Sequence, residues 1–512
     1  MARQLQPTGD TTRSHHEDMQ HGGGTQLALA AEQGHAATHR DSHALAPCDA
    51  KAEARLRCKI DLYVVPTVAL LYLFCFVDRA NIGNARLAGF EEDLKLKGND
   101  YNAVLSVFYI SYILFEIPSN MCCKWMGPGW FIPITTLGFG ICSIGTAFVN
   151  DMAGVSFVRF LLGIFEAGML PGIAYYMSRW YTRSELVFRL SLYIVMAPLA
   201  GAFGGLLASA ILKLDNFGST TRWRMIFAIE GLITVILSLI SFFTLTDRPE
   251  TARWLTPEEK KLAIERVRCE RVGTTEMLDK IDWTKTIEGI ICPTTLVTSF
   301  VFLLDNITVQ GLAFFTPTIV RTIYPKDSVI SQQLHTVPPY LVGAFFTVLF
   351  PFLSWRFDTR QLFMLLSAPL MMCGYMLFLA SASSAVRYAA TFIIASGAFP
   401  FGALVTAQVS ANVISDTARA SAIGMVVMMG NVGGLIATWS FLPSDKPHYR
   451  IGNGLNLATS SVIFVVSGLL LGWMKRDNGK RARKAGDEGL AGLTEKQVQD
   501  LDWRHPSFKW RP

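Results

Sequence analysis

From Ile60 onward the chain alternates apolar stretches of helical length with short polar connections. A helix of about 20 apolar residues rises roughly 30 Å, the thickness of a bilayer's hydrocarbon core. Twelve such stretches can be read, at about 60–84, 102–123, 130–149, 154–178, 187–211, 224–245, 292–317, 334–353, 362–381, 386–411, 420–442 and 454–474. Six lie on either side of 246–290, the longest polar interruption. The pattern predicts an all-α polytopic membrane protein with a disordered tail over 1–58, a six-helix bundle over 59–246, a central loop over 247–290, a second six-helix bundle over 291–476 and a tail over 477–512. In the central loop, Thr256-Pro257-Glu258-Glu259 carries the residues of a capping box, so a short amphipathic surface helix is expected from there to about Arg271.

Composition agrees with this reading. Of the 512 residues 51% are hydrophobic and only 17% charged, and the net charge of +6 is too small to mark a nucleic-acid binder. The nine cysteines show no zinc-ligand spacing, and no disulfide scaffold is expected. His15, His16, His21, His35, His39 and His43 crowd into the first tail at spacings that define no metal geometry. No cleavable secretory signal is expected ahead of the first apolar stretch. Lys and Arg decide the orientation: the loops on the side of the two tails hold 26 and the alternate loops 11, which places both termini in the cytoplasm. Pro66, Pro118, Pro171 and Pro351 lie inside spans, where neighbouring helices can satisfy the carbonyls they free.

Ionisable residues inside apolar spans carry the functional signal, since each costs about 2.5–3.5 kcal/mol at a helix centre on insertion scales. Seven stand out: Asp78, Arg79, Glu116, Arg159, Glu166, Glu230 and Asp305. Glu116, Glu230 and Asp305 are candidates for gating or structural charge. Counted from the span ends at 1.5 Å per residue, Asp78 and Arg79 reach a depth similar to that of Arg159. Those three are expected to form a cluster of two positive charges and one negative, suited to an organic anion because guanidinium grips carboxylate bidentately. Glu166 lies two turns from Arg159 on the same helix face, nearer mid-bilayer, where a carboxyl can take up and release a proton. The second half is poor in charge; Asn306 and Gln310 in the seventh span and Asn431 in the eleventh are candidates for substrate contact, and Gln408 and Asn412 share one face of the tenth.

At these residues the chain resembles the major facilitator superfamily, and within it the anion:cation symporters of the fungal allantoate permease branch. The resemblance runs from about 59 to 475 and rests on local strings. These are Phe76-Val-Asp78-Arg79-Ala-Asn81-Ile-Gly83-Asn84, Phe115-Glu116-Ile-Pro118-Ser-Asn120, Arg159-Phe-Leu-Leu-Gly163-Ile-Phe-Glu166-Ala-Gly168, Trp223-Arg224-Met-Ile-Phe-Ala-Ile-Glu230-Gly231 and Arg248-Pro249-Glu250-Thr251. It implies two pseudo-symmetric six-helix bundles with substrate between them and alternating access. It further implies proton-coupling roles for Asp78 and Glu166, and anion binding or a gating ion pair for Arg79 and Arg159, with Asn81 beside them. Two strings depart from the superfamily pattern: Lys124-Trp-Met-Gly127-Pro128 between spans two and three, and Trp355 before Arg356 between spans eight and nine, both lacking the expected acid.

The expected function is proton-coupled uptake of a small organic anion, a carboxylate nutrient such as nicotinate, pantothenate or allantoate. Its expected partners are protons and the lipid bilayer, with no nucleic acid, cofactor or metal, and the chain is expected to act as a monomer in a plasma membrane. The alternative is a proton-antiport exporter of drugs or a secreted metabolite, suggested by Met196-Ala-Pro198-Leu-Ala-Gly201-Ala-Phe-Gly204-Gly205 but disfavoured by two intramembrane arginines. No nucleophile, metal cluster or phosphate loop points to an enzyme.

Overall fold

The computed structural model describes residues 50–181, 189, 192–214, 222–270, 283–413, 416–483, 502–504 and 508–512. The disorder expected of residues 1–49 lies outside the described residues; the first helix begins at Ala50, inside the segment expected to be a tail. Ile60–Pro512 form one compact unit and Met1–Lys59 another.

Among the described residues, eleven helices are long and apolar enough to cross a membrane. In chain order they are span one (Lys51–Leu87), two (Asp100–Met126), three (Pro128–Thr146), four (Met152–Ser178), five (Leu192–Ile211), six (Arg222–Thr244), seven (Pro293–Ile323), eight (Val329–Phe357), nine (Arg360–Ala380), ten (Ser384–Ala411) and twelve (Arg450–Arg483). Span eleven is the helix Asp416–Ala437, whose apolar part, Ser421–Ala437, is shorter. It stops before the expected 442 because Thr438 and Trp439 turn onto span two, where Asn102 Nδ2 donates to the Thr438 carbonyl and Trp439 Nε1 to Ser106 Oγ at 2.8 Å.

Within the first half, spans three and six pack together, as do two and four; in the second half nine pairs with twelve and eight with ten. Adding six to each number converts one set into the other, the pseudo-twofold relation of an inverted or duplicated bundle. The halves meet where two packs on eleven and five on eight. Small residues make that approach possible. A Cβ on Gly83 of span one would lie 2.7 Å from the Phe314 carbonyl oxygen of span seven, and one on Gly201 of span five 2.6 Å from the Tyr340 ring of span eight.

Span four is broken after Glu166: its helix ends there and a second, Met169–Ser178, follows. Pro171 supplies the cause, for it has no N–H to give the carbonyl four residues back, at Ala167. In the central loop the helix Pro257–Glu270 opens with reciprocal capping, Thr256 N–H donating to Glu259 Oε2 at 2.9 Å and Glu259 N–H to Thr256 Oγ1 at 3.3 Å.

Candidate functional site

The charged centre of the first half is an ion pair between spans one and four. Arg79 donates from Nε at 3.0 Å and from a terminal nitrogen at 2.7 Å, both to Glu166 Oε2. Glu166 is fully buried and its other oxygen, Oε1, makes no hydrogen bond to protein. Three rings surround the guanidinium: Phe76 at 4.7 Å, Phe108 at 5.2 Å and Tyr112 at 5.3 Å. Phe108 also stacks edge-on with Tyr109, which in turn meets Phe314 of span seven, so the aromatic wall reaches the second half. In this dry setting each contact to the cation counts for more than in water.

Asp78, Arg159 and the Arg79–Glu166 pair lie within electrostatic reach of one another, but they take different hydrogen-bond partners. Successive residues on a helix point about 100° apart. Arg79 therefore turns to spans two and four while Asp78 turns to spans three and six, where it accepts from Ser143 Oγ at 2.8 Å and Thr234 Oγ1 at 2.9 Å. Arg159 is buried with its guanidinium 5.8 Å from the Phe227 ring of span six, and its Nε has no hydrogen-bond partner. Glu230, four residues before Thr234, is fully buried with neither carboxylate oxygen bonded to protein. Asp78, Arg159 and Glu230 thus sit beside the Arg79–Glu166 pair in one buried charged region of the first bundle, with the aromatic rings on the Arg79 side.

The remaining candidates are spread along the seam and the second half. Asn81 is buried, accepting from Asn84 Nδ2 at 3.5 Å. Asn306 donates to the Phe302 carbonyl at 3.0 Å and accepts from Gln310 Nε2 at 3.5 Å; Gln310 Oε1 is unbonded. Asp305 is fully buried with both oxygens unbonded. Asn431 joins the halves by donating to Glu116 Oε2 at 3.3 Å, a pairing of two candidates that had been placed in different roles.

Further hydrogen bonds between the halves gather beyond that pair, at the end opposite the Lys- and Arg-rich loops. Ser106 Oγ meets Thr438 Oγ1 at 2.9 Å, and Gln333 Nε2 donates to the Asn84 carbonyl at 3.3 Å. Sequence reading missed these residues because serine, threonine and asparagine are unremarkable in a span; their occurrence near the ends of spans two and eleven was the available signal.

At the opposite end, the acid missing between spans two and three is supplied from elsewhere. Asp247, just past span six, accepts from the Gly129 N–H at 3.3 Å and from Arg179 at 2.9 Å. A Cβ at Gly127 would press on the same carboxylate at 2.7 Å, and Gly127 also has the positive φ of 83° that glycine tolerates.

Comparison with known proteins places this architecture. The chain is 33% identical to an uncharacterized transporter of Schizosaccharomyces pombe over 84% of its own length and 88% of that protein's. It is 30% identical to the high-affinity nicotinic acid transporter of Saccharomyces cerevisiae, over 94% of this chain and 89% of that one. Among solved structures, a bacterial homologue of the human lysosomal transporter Spinster superposes with a TM-score of 0.59 at 16% identity, covering 79% of this chain and 95% of that chain, a likeness of fold. The model of the Major Facilitator Superfamily matches residues 68–438. With six-plus-six helices, a seam of close-packed glycines and a buried ion pair beside it, the chain belongs to the Major Facilitator Superfamily and is a multi-pass membrane transporter rather than an enzyme.

Proposed function

We propose that this transporter takes up a small organic anion together with protons, and that Arg79 is the group that binds the substrate's carboxylate. The observation that carries this reading is the Arg79–Glu166 pair: a buried guanidinium neutralised by a single carboxylate oxygen and walled by aromatic rings. An incoming carboxylate and Glu166 compete for the same donors. Protonation of Glu166 removes its charge and frees Arg79 to grip the substrate bidentately; loss of that proton restores the internal pair and expels the anion. Binding of proton and anion is therefore linked without direct contact between them. The rings of Phe76, Phe108 and Tyr112 support a flat, conjugated carboxylate, and the nicotinic acid transported by the yeast relative has that character.

Orientation follows from the Lys and Arg distribution, which favours cytoplasmic tails, and a plasma-membrane setting completes the proposal. On that orientation the hydrogen bonds of Ser106, Thr438, Trp439 and Gln333 close the outer end. Asp78, held by Ser143 and Thr234, acts as a second proton site, and Asn81, Arg159, Asn306, Gln310 and Asn431 shape the route as Glu116, Glu230 and Asp305 set its charge. Uptake of radiolabelled nicotinate, pantothenate and allantoate into proteoliposomes, with and without an imposed pH gradient, tests the proposal. Accumulation of one of them that collapses when the gradient is dissipated supports it. Efflux of cationic compounds with no carboxylate uptake assigns the chain to the antiport exporters instead.

A further inference from the structure

The last described residues of the chain fold back onto the second half, at the end that bears the Lys- and Arg-rich loops, and the contact is built in unusual detail. Asn478, near the end of span twelve, reads the backbone of Trp510 twice: its Oδ1 accepts the Trp510 N–H and its Nδ2 donates to the Trp510 carbonyl, both at 2.8 Å. Asn412, after span ten, does the same for the next residue, accepting the Arg511 N–H at 2.9 Å and donating to its carbonyl at 3.0 Å. Gln408 adds a third amide to that carbonyl at 3.2 Å, and the Arg360 N–H at the start of span nine donates to the Pro512 carbonyl at 2.9 Å.

Side chains complete the seat. The Trp510 indole is 2% exposed, donates from Nε1 to Asp477 Oδ2 at 2.7 Å and packs against Trp473, Trp503 and Phe508. Arg481 bonds Asp477 at 2.7 Å and the Trp503 carbonyl at 3.0 Å, while Arg504 lies 3.6 Å from Glu288 ahead of span seven. Two asparagines that each satisfy both backbone groups of one peptide residue mimic an adjacent β-strand, and their geometry is spent if the peptide leaves. Gln408 and Asn412, an i,i+4 pair on one helix face, therefore hold a peptide, and Gln408 also reaches Met474 of span twelve.

We propose that residues 502–504 and 508–512 form an intramolecular latch whose seat, formed by Asn412, Asn478 and Asp477, ties together the inner ends of spans nine, ten and twelve and restrains their movement during alternating access. The latch touches three helices and the approach to a fourth, so its release frees their ends from one another, whereas the aromatic wall and the ion pair lie on the other half and are untouched.

Two readings on the purified full chain test this. Trypsin can cut after Lys509 only when residues 508–511 leave the seat, because the protease needs the backbone that Asn412 and Asn478 occupy. Cleavage at that bond, followed by mass spectrometry, is expected to be at least tenfold faster in Asn412→Ala/Asn478→Ala than in the unmodified chain. In parallel, spin labels at Lys124→Cys and Arg356→Cys, both exposed inner-end positions, report the separation of the halves with the native cysteines replaced. The latch-free variant is expected to change the ratio of open to closed inner-end distances at least threefold. Trp510→Ala, which leaves every spanning helix intact, must reproduce both effects and stands in if the double variant fails to fold. Equal cleavage rates, or faster cleavage with an unchanged distance distribution, would overturn the proposal.

Discussion

Replacing Gly83 with alanine tests the seam between the halves at one atom. The added Cβ would stand 2.7 Å from the Phe314 carbonyl oxygen of span seven, inside ordinary carbon–oxygen contact by about half an ångström or more. Both partners are helix backbone, so relief requires spans one and seven to part. Overpacking of this kind costs about 1–3 kcal/mol. Alanine also improves helix propensity by roughly 1 kcal/mol, but that gain is common to every conformation in which span one is helical and cancels from the comparison. The differential cost falls only on the state with this end closed, so Gly83→Ala should shift the closed-to-open ratio of this end by about 5- to 150-fold. Distance distributions between spin labels on the loops after span one and after span seven would measure it. Gly454→Ala is the control: nothing lies within 4 Å of its new Cβ, so no shift is expected. An unchanged distribution in Gly83→Ala, or an equal shift in Gly454→Ala, would refute the view that this contact belongs to one conformational state.

Other substitutions probe the rest of the account. Glu166→Gln should abolish accumulation driven by a pH gradient while retaining substrate exchange across equal pH, as counterflow assays would show; exchange lost together with accumulation counts against a proton-carrying role. Trp439→Phe deletes the 2.8 Å bond to Ser106 and should weaken closure of that end by about 0.5–1.5 kcal/mol, seen as a two- to tenfold rise in the open fraction of spin-label distances between the loops before span two and after span eleven. Asp305→Asn removes a buried carboxyl that has no protein partner, so thermal unfolding in detergent should be unchanged or raised; a fall of more than about 5 °C would reveal a partner charge. Asp247→Asn should lower stability by about 1–2 kcal/mol through loss of the Arg179 bridge, while Arg248→Ala, whose side chain is mostly exposed, should have little effect.

What the sequence made legible is what the bilayer forces. Backbone groups in hydrocarbon must bond within a helix, so each apolar stretch of sufficient length announced a span, and Thr256 to Glu259 announced a surface helix by local chemistry alone. The charged residues were also visible, because nothing else places Arg79 and Glu166 in an apolar span. Their pairing was not. Counting residues from a span end gives height but not direction around the helix axis, and at equal height Asp78 and Arg79 face different neighbours. Contacts between distant segments were invisible for the same reason: Glu116 and Asn431 are 315 residues apart, and the peptide held by Asn412 lies 99 residues further along the chain. Asp247 shows the converse, since the acid absent from one loop was present in another that folding brings alongside.

The most direct measurement is the pH dependence of nicotinate binding to the purified protein by calorimetry, comparing the unmodified chain with Glu166→Gln and Glu166→Gln/Arg79→Ala. If Arg79 is shared between Glu166 and the substrate, the unmodified chain binds more tightly as pH falls, Glu166→Gln binds at least tenfold more tightly than it at pH 8 with a flattened dependence, and the double variant does not bind. Weaker binding by Glu166→Gln with the pH slope intact, or binding that survives Arg79→Ala, would contradict the account.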